Sequence, residues 1–191
     1  MRFKHLPWAV LFVLISSSAP TQQPPAGSAT SGTVVELNPG ASNPTGTSWV
    51  PLKLTSAPGV KVGRLDLIIT FPKALLAFLN LETSGLTDGI EAQVTTDVRD
   101  NPQDASQRQL LLKISTLDGK TTRIPFPDGK LVYLVFQVAE QAKPMTTIAL
   151  GTSGQAVTVD DPPKPIQPFA VRASPLEVTL EPLTSCFFYM H

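Results

Sequence analysis

The chain has 191 residues, 15 basic against 15 acidic, and a single cysteine, Cys186. That balance excludes a basic nucleic-acid patch and an acidic tail, and one cysteine excludes an intrachain disulfide framework or a multi-cysteine metal site. Nineteen prolines scattered among 12 glycines leave almost no breaker-free run long enough for a long helix, which favours an all-β chain.

The length fits one domain, and a domain of about 150 residues buries roughly 68–70% of its unfolded surface, enough for a sizeable core. Met1 to Ala19 sets Arg2 and Lys4 before the apolar run Leu6 to Ile15 and the small residues Ser16 to Ala19. This is the three-part order of a secretory leader, 1–19, and it predicts a secreted or cell-envelope protein. An uncleaved N-terminal anchor is the competing reading, although the run is short of the ~20 residues a spanning helix needs. Pro20 sits awkwardly after a cut at Ala19, so the cleavage position stays open. Residues 20–32 are rich in Pro, Gly and Ser and read as a flexible linker. The folded domain is expected over 33–181, with a C-terminal tail at 182–191.

Val34 to Leu37 reads as the first strand, closed by Asn38-Pro39-Gly40. Trp49 to Leu54 is the second, in which Pro51 indicates an edge or a bulge. Ala57-Pro58-Gly59 turns the chain into Val60 to Phe71. There Leu65, Leu67, Ile69 and Phe71 share the core face, and Asp66, Ile68 and Thr70 share the other. Leu75 to Leu81 fits a helical turn or a strand, and the surrounding pattern favours strand. Gln93 to Val98 and Gln109 to Thr116 pair across a loop at 100–104.

The strongest strand signal is Ile124 to Val138. Asp128-Gly129 supplies a turn, and Leu131 to Val138 then carries seven apolar residues in eight. A strand apolar on both faces must be covered on both, or sit where two sheets meet. Thr146 to Leu150, Ala156 to Asp160 and Ala170 to Leu180 complete about nine strands, at the spacing of a sandwich or barrel.

The chemistry of a catalytic site is thin. Histidine occurs only as His5 and His191, which argues against Ser-His-Asp, Cys-His and His-ligated metal sites. Asp88, Glu91, Asp97, Asp100, Asp104, Asp118, Asp128, Asp160 and Asp161 fall in or beside turn signals, where a solvated carboxylate needs no further explanation. The stretch Asp97 to Asp104 invites calcium, but its spacing is not that of an EF-hand and Arg99 partly neutralises it. It reads as a solvated hairpin tip, and no metal, cofactor or enzymatic activity is expected. Trp49 and Tyr133 sit within apolar strands and are expected in the core, which leaves no flat aromatic strip for polysaccharide. The apolar tail Leu183 to His191 is too short to span a bilayer. Cys186 reads as a free thiol, with an interchain disulfide still open.

The order of these landmarks resembles the cohesin domain, the jelly-roll β-sandwich of bacterial scaffolding proteins, related in fold to one class of cellulose-binding modules. The resemblance rests on Val34-Val35-Glu36, on Trp49-Val50-Pro51-Leu52-Lys53-Leu54, and on Gly63 to Phe71 followed by Leu75-Leu76-Ala77-Phe78. It rests most of all on Ile124 to Val138, which is similar to the family's apolar-x-x-x-Asp-Gly-x-Leu-x-x-x-x-Phe-x-Val pattern. It implies an antiparallel jelly-roll sandwich and a non-catalytic extracellular module that docks a protein partner. In cohesins that partner is a calcium-loaded dockerin, borne by a polysaccharide-degrading enzyme or a cell-surface protein, and it lies on an open sheet face.

Many cohesins carry Tyr-Asp at the end of the third strand, where this chain has Phe71-Pro72; the core aromatic is kept and the carboxylate is lost. Strand alternation assembles the expected partner face from Asp66, Ile68, Thr70, Gln93, Thr95, Gln109, Leu111, Lys113, Thr147 and Ala149. Two other readings remain open: a carbohydrate-binding module of the related fold, and a structural component of a secretion or cell-surface assembly.

Overall fold

The computed structural model describes residues 32–83, 92–117 and 123–180. The leader, nearly all of the linker, Asp88, Glu91, Asp118 and the tail with Cys186 lie outside the described residues. The described chain forms twelve strands. They are β1 (Thr33–Leu37), β2 (Ala41–Ser42), β3 (Thr47–Thr55), β4 (Val62–Pro72), β5 (Leu76–Glu82) and β6 (Gln93–Asn101), followed by β7 (Asp104–Ser115), β8 (Gly129–Val138), β9 (Thr146–Ile148), β10 (Gly151–Thr158), β11 (Phe169–Ala173) and β12 (Leu176–Val178).

Two layers make the sandwich: a five-stranded sheet in the order β11-β1-β3-β8-β5 and a four-stranded sheet in the order β10-β4-β7-β6. A small third sheet, β2-β12-β9, contributes Ile148, Leu176 and Val178 to the core. Pairing is antiparallel except where β11 runs parallel to β1 and β12 parallel to β2. The expected last strand is thus two. Ser174-Pro175 interrupts it, and the Ser174 amide donates to the Leu37 carbonyl at 2.9 Å as the chain leaves β11.

The core follows from strand alternation. Leu65, Leu67, Ile69 and Phe71 of β4 and Leu110, Leu112 and Ile114 of β7 point inward from one layer, and Val50, Leu52, Leu54, Val132, Leu134, Phe136 and Val138 from the other. Phe71 and Phe136 meet edge to face across the layers, with ring centroids 5.3 Å apart, and Phe78 of β5 packs on Phe136 at 5.7 Å. Leu76–Glu82 is a strand, so the ambiguous stretch after Pro72 resolves as the alternation suggested.

Strand β8 is the doubly apolar strand, and it lies between β3 and β5. Gly129 opens it with φ of 116°, a conformation suited to glycine. The preceding Asp128 accepts a hydrogen bond from the Ser56 amide at 2.8 Å, tying the turn to the end of β3. Only its inner face meets a second layer. On its outer face Val135 is nevertheless only 3% exposed.

Pro51 lies in a central strand rather than at an edge. Its carbonyl accepts from the Asn38 amide at 2.9 Å, so its nitrogen points to the same side, where β1 has just ended. The missing N–H therefore costs no bond to β8. A register shift between Leu52 and Lys53 supplies the bulge.

Gly154 of β10 sits where a Cβ would lie 2.5 Å from the Asp66 carbonyl oxygen and 3.1 Å from the Leu67 Cα. Both obstacles are backbone, so Gly154→Ala must push β10 away from β4. The expected cost is about 1–3 kcal/mol, read as a lower denaturation midpoint.

Candidate docking face

The outer face of the four-stranded sheet is built by the residues that alternate away from the core. Register aligns them in rows across β10, β4, β7 and β6. One row is Gln155, Asp66, Lys113 and Thr95; the next is Ser153, Ile68, Leu111 and Asp97; the third is Gly151, Thr70, Gln109 and Arg99. Ile68 and Leu111 are direct cross-strand partners at the middle of the face, each half-buried. They stand in a shallow depression of about 500 Å³, with Asp66, Thr95, Asp97, Lys113 and Gln155 among its lining residues.

The polar surround is held in place. Arg64 Nε donates to Asp66 Oδ2 at 3.1 Å, and Gln155 Nε2 reaches the same oxygen at 3.2 Å. The result is an apolar centre with a polar rim of mixed charge, the usual composition of a protein interface. Phe71 is fully buried, and Pro72 ends β4 on the outer side. The core aromatic and the missing carboxylate therefore fall where the sequence put them.

Eight of the ten expected residues share this face: Asp66, Ile68, Thr70, Gln93, Thr95, Gln109, Leu111 and Lys113. Thr147 and Ala149 do not. Thr147 belongs to β9 and pairs with Glu177 of β12 in the small sheet, because Ile148 turns into the core there opposite Leu176. Ala149 follows in the connection to β10 and borders a separate depression with Thr70 and Gln107. The strand beside β4 is β10, and it begins at Gly151. Its Ser153 and Gln155 escaped the sequence reading because Gly151 and Gly154 mask the strand pattern.

Strand β6 contains Asp97, as the expected strand Gln93 to Val98 does, and runs on to Asn101, so Arg99 and Asp100 of the expected hairpin tip also belong to the strand. Asp97 and Arg99 therefore join the outer face. At the hairpin end Asp104 Oδ1 accepts from the Ser106 hydroxyl at 2.6 Å and the Ser106 amide at 2.9 Å. These bonds, the hydroxyl first, hold its carboxyl below the ordinary value of 3.8. Among the described residues no group of three or more His, Cys, Asp or Glu is placed to hold a metal ion.

The two aromatic residues expected in the core are outside it. Trp49 is 49% exposed on the outer face of the five-stranded sheet, and its Nε1 donates to Glu82 Oε1 at 3.1 Å. Tyr133 is half-buried on the same face and accepts a hydrogen bond from Lys130 Nζ at 2.7 Å. That nitrogen lies 5.3 Å from the ring centroid, beyond the hydroxyl rather than above the ring. The contact is a hydrogen bond and not a cation–π pair. An apolar neighbourhood in sequence does not fix the side of a strand, and here alternation sends Val50, Leu134 and Phe136 inward and Trp49 and Tyr133 outward.

No protein-family model matches this chain and no curated protein matches it. Solved structures do. The third cohesin of ScaC from Acetivibrio cellulolyticus, solved in complex with the ScaB dockerin, is 14% identical with a TM-score of 0.60, over 77% of this chain and 99% of that one. The OlpA cohesin of Clostridium thermocellum, solved in complex with the dockerin Doc918, is 15% identical with a TM-score of 0.59, over 77% and 99%. A non-cellulosomal cohesin from the hyperthermophilic archaeon Archaeoglobus fulgidus is 19% identical with a TM-score of 0.55, over 78% and 91%. At these identities the likeness concerns the backbone, and it covers nearly the whole of each compared domain: the chain has the cohesin fold.

Proposed function

We propose that this chain is a non-catalytic, exported protein-docking module that presents the outer face of β10-β4-β7-β6 to a dockerin-like domain. The observation that carries the reading is the Ile68–Leu111 pair at the centre of a shallow depression ringed by polar groups. A desolvated apolar centre inside a polar rim is where interface energy concentrates. Support also comes from the solved cohesins of the same fold, which include complexes with dockerins. With Pro72 in place of a carboxylate, selectivity rests on the shape and apolar fit around Ile68 and Leu111, and less on an acidic anchor at the end of β4.

The test is calorimetric titration of the exported protein with calcium-loaded dockerins from polysaccharide-degrading enzymes and cell-surface proteins of its own source. Saturable 1:1 binding with Kd of about 1 μM or tighter, near −8 kcal/mol, is expected for at least one of them. Heat indistinguishable from dilution across the whole set would overturn the dockerin reading.

A further inference from the structure

The opposite face of the sandwich carries an arrangement that docking on β4 and β7 does not use. Strand β8 lies between β3 and β5. On their outer face Trp49 of β3 stands opposite Val135 of β8, and Asn80 of β5 stands opposite Val135 from the other side. In the next row Pro51, Tyr133 and Glu82 are aligned. The bond from Trp49 Nε1 reaches Glu82 on β5, so the indole extends from β3 across β8, over the place where Val135 stands.

The burial values agree with that path. Val135 alternates away from the core and yet is only 3% exposed, while Trp49 above it is 49% exposed. Trp49 is thus about half open to solvent, and its N–H is held by the carboxylate of Glu82. A buried indole normally hides its surface and satisfies its N–H; this one satisfies the N–H and leaves about half of its surface open.

The size and chemistry of the patch select its occupant. Its open apolar surface is one indole beside the part-exposed Pro51, with the exposed Leu79 at the β5 bulge, far short of the roughly 800 Å² per partner of a standard protein interface. An indole face is the size of a single sugar ring. The carboxylate of Glu82, the amide of Asn80 and the Lys130–Tyr133 pair belong to neighbouring positions of the same outer face. A pyranose with equatorial hydroxyls offers a flat C–H face to the electron-rich ring and hydroxyls at its edge to such groups. We infer that Trp49 is the stacking platform of a carbohydrate site for β-linked, equatorially substituted glycans, on the face opposite the proposed docking surface and independent of it.

The site is tested with full-length protein carrying Trp8→Phe, which leaves Trp49 as the sole tryptophan of the two in the chain. Cellohexaose and xylohexaose are titrated against its emission, and retention on insoluble cellulose and xylan is measured in parallel. At least one hexasaccharide is expected to change Trp49 emission saturably. Trp49→Ala is expected to lower retention about tenfold or more, with its melting midpoint near that of the parent. Trp49→Phe should keep part of the binding, and Leu111→Asp on the other face should keep all of it. Glu82→Ala, which frees the ring without removing it, should weaken binding less than Trp49→Ala. Emission unchanged by both sugars up to about 10 mM, or equal retention of Trp49→Ala and parent, would overturn the assignment.

Discussion

Leu111→Asp is expected to abolish partner binding while leaving the fold intact. Leu111 faces outward from β7, between Ile68 of β4 and Asp97 of β6. A carboxylate there would be desolvated at the interface centre and repelled by Asp97. The expected loss is about hundredfold or more, close to 3 kcal/mol. The residue contributes nothing to the inner face, so the unfolding free energy should move by no more than about 1 kcal/mol. Ile68→Asp should behave in the same way, since the two side chains are direct cross-strand partners. Calorimetry for binding and urea melts for folding separate the two effects. A variant that binds normally would remove this pair from the interface, and one that fails to fold would place it in the core.

Phe136→Ala should have the largest effect on stability of any single truncation in the sandwich. Its ring is fully buried and meets Phe71 from the opposing layer and Phe78 from the neighbouring strand. Removal deletes both edge-to-face contacts and leaves a cavity in a rigid sandwich, at a cost of about 3–5 kcal/mol. Against a total stability of about 5–15 kcal/mol for a domain, that is a large fraction. Urea unfolding should show a lower midpoint at unchanged slope. A loss under about 1 kcal/mol would mean that the two layers are not joined through β8.

The sequence made the fold legible where alternation was strict and bounded by turns. The β4 pattern from Leu65 to Phe71 and the β8 run after Asp128-Gly129 place their side chains on the sides the pattern indicates. It misled where the pattern was weak or the reason for burial was local. Gly151 and Gly154 hid the first half of β10, which moved two site residues onto the wrong strand. Arg99 and Asp100 looked like a hairpin tip because polar residues on an edge strand resemble a turn. Pro51 looked like an edge marker, since nothing in sequence reveals that β1 ends beside it. The outward turn of Trp49 was hidden because its strand neighbours are apolar, and only the position of Glu82 two strands away explains the ring's orientation. The Ile68–Leu111 pairing, by contrast, follows from register once β4 and β7 are neighbours.

Methyl-resolved NMR of the protein, free and saturated with a bound dockerin, tests the docking face most directly. The Ile68 and Leu111 methyl signals are expected to shift strongly, while that of Val135, beneath Trp49, stays in place. Shifts confined to Val135 and its neighbours on β3 and β5, with Ile68 and Leu111 unmoved, would contradict docking through the four-stranded sheet.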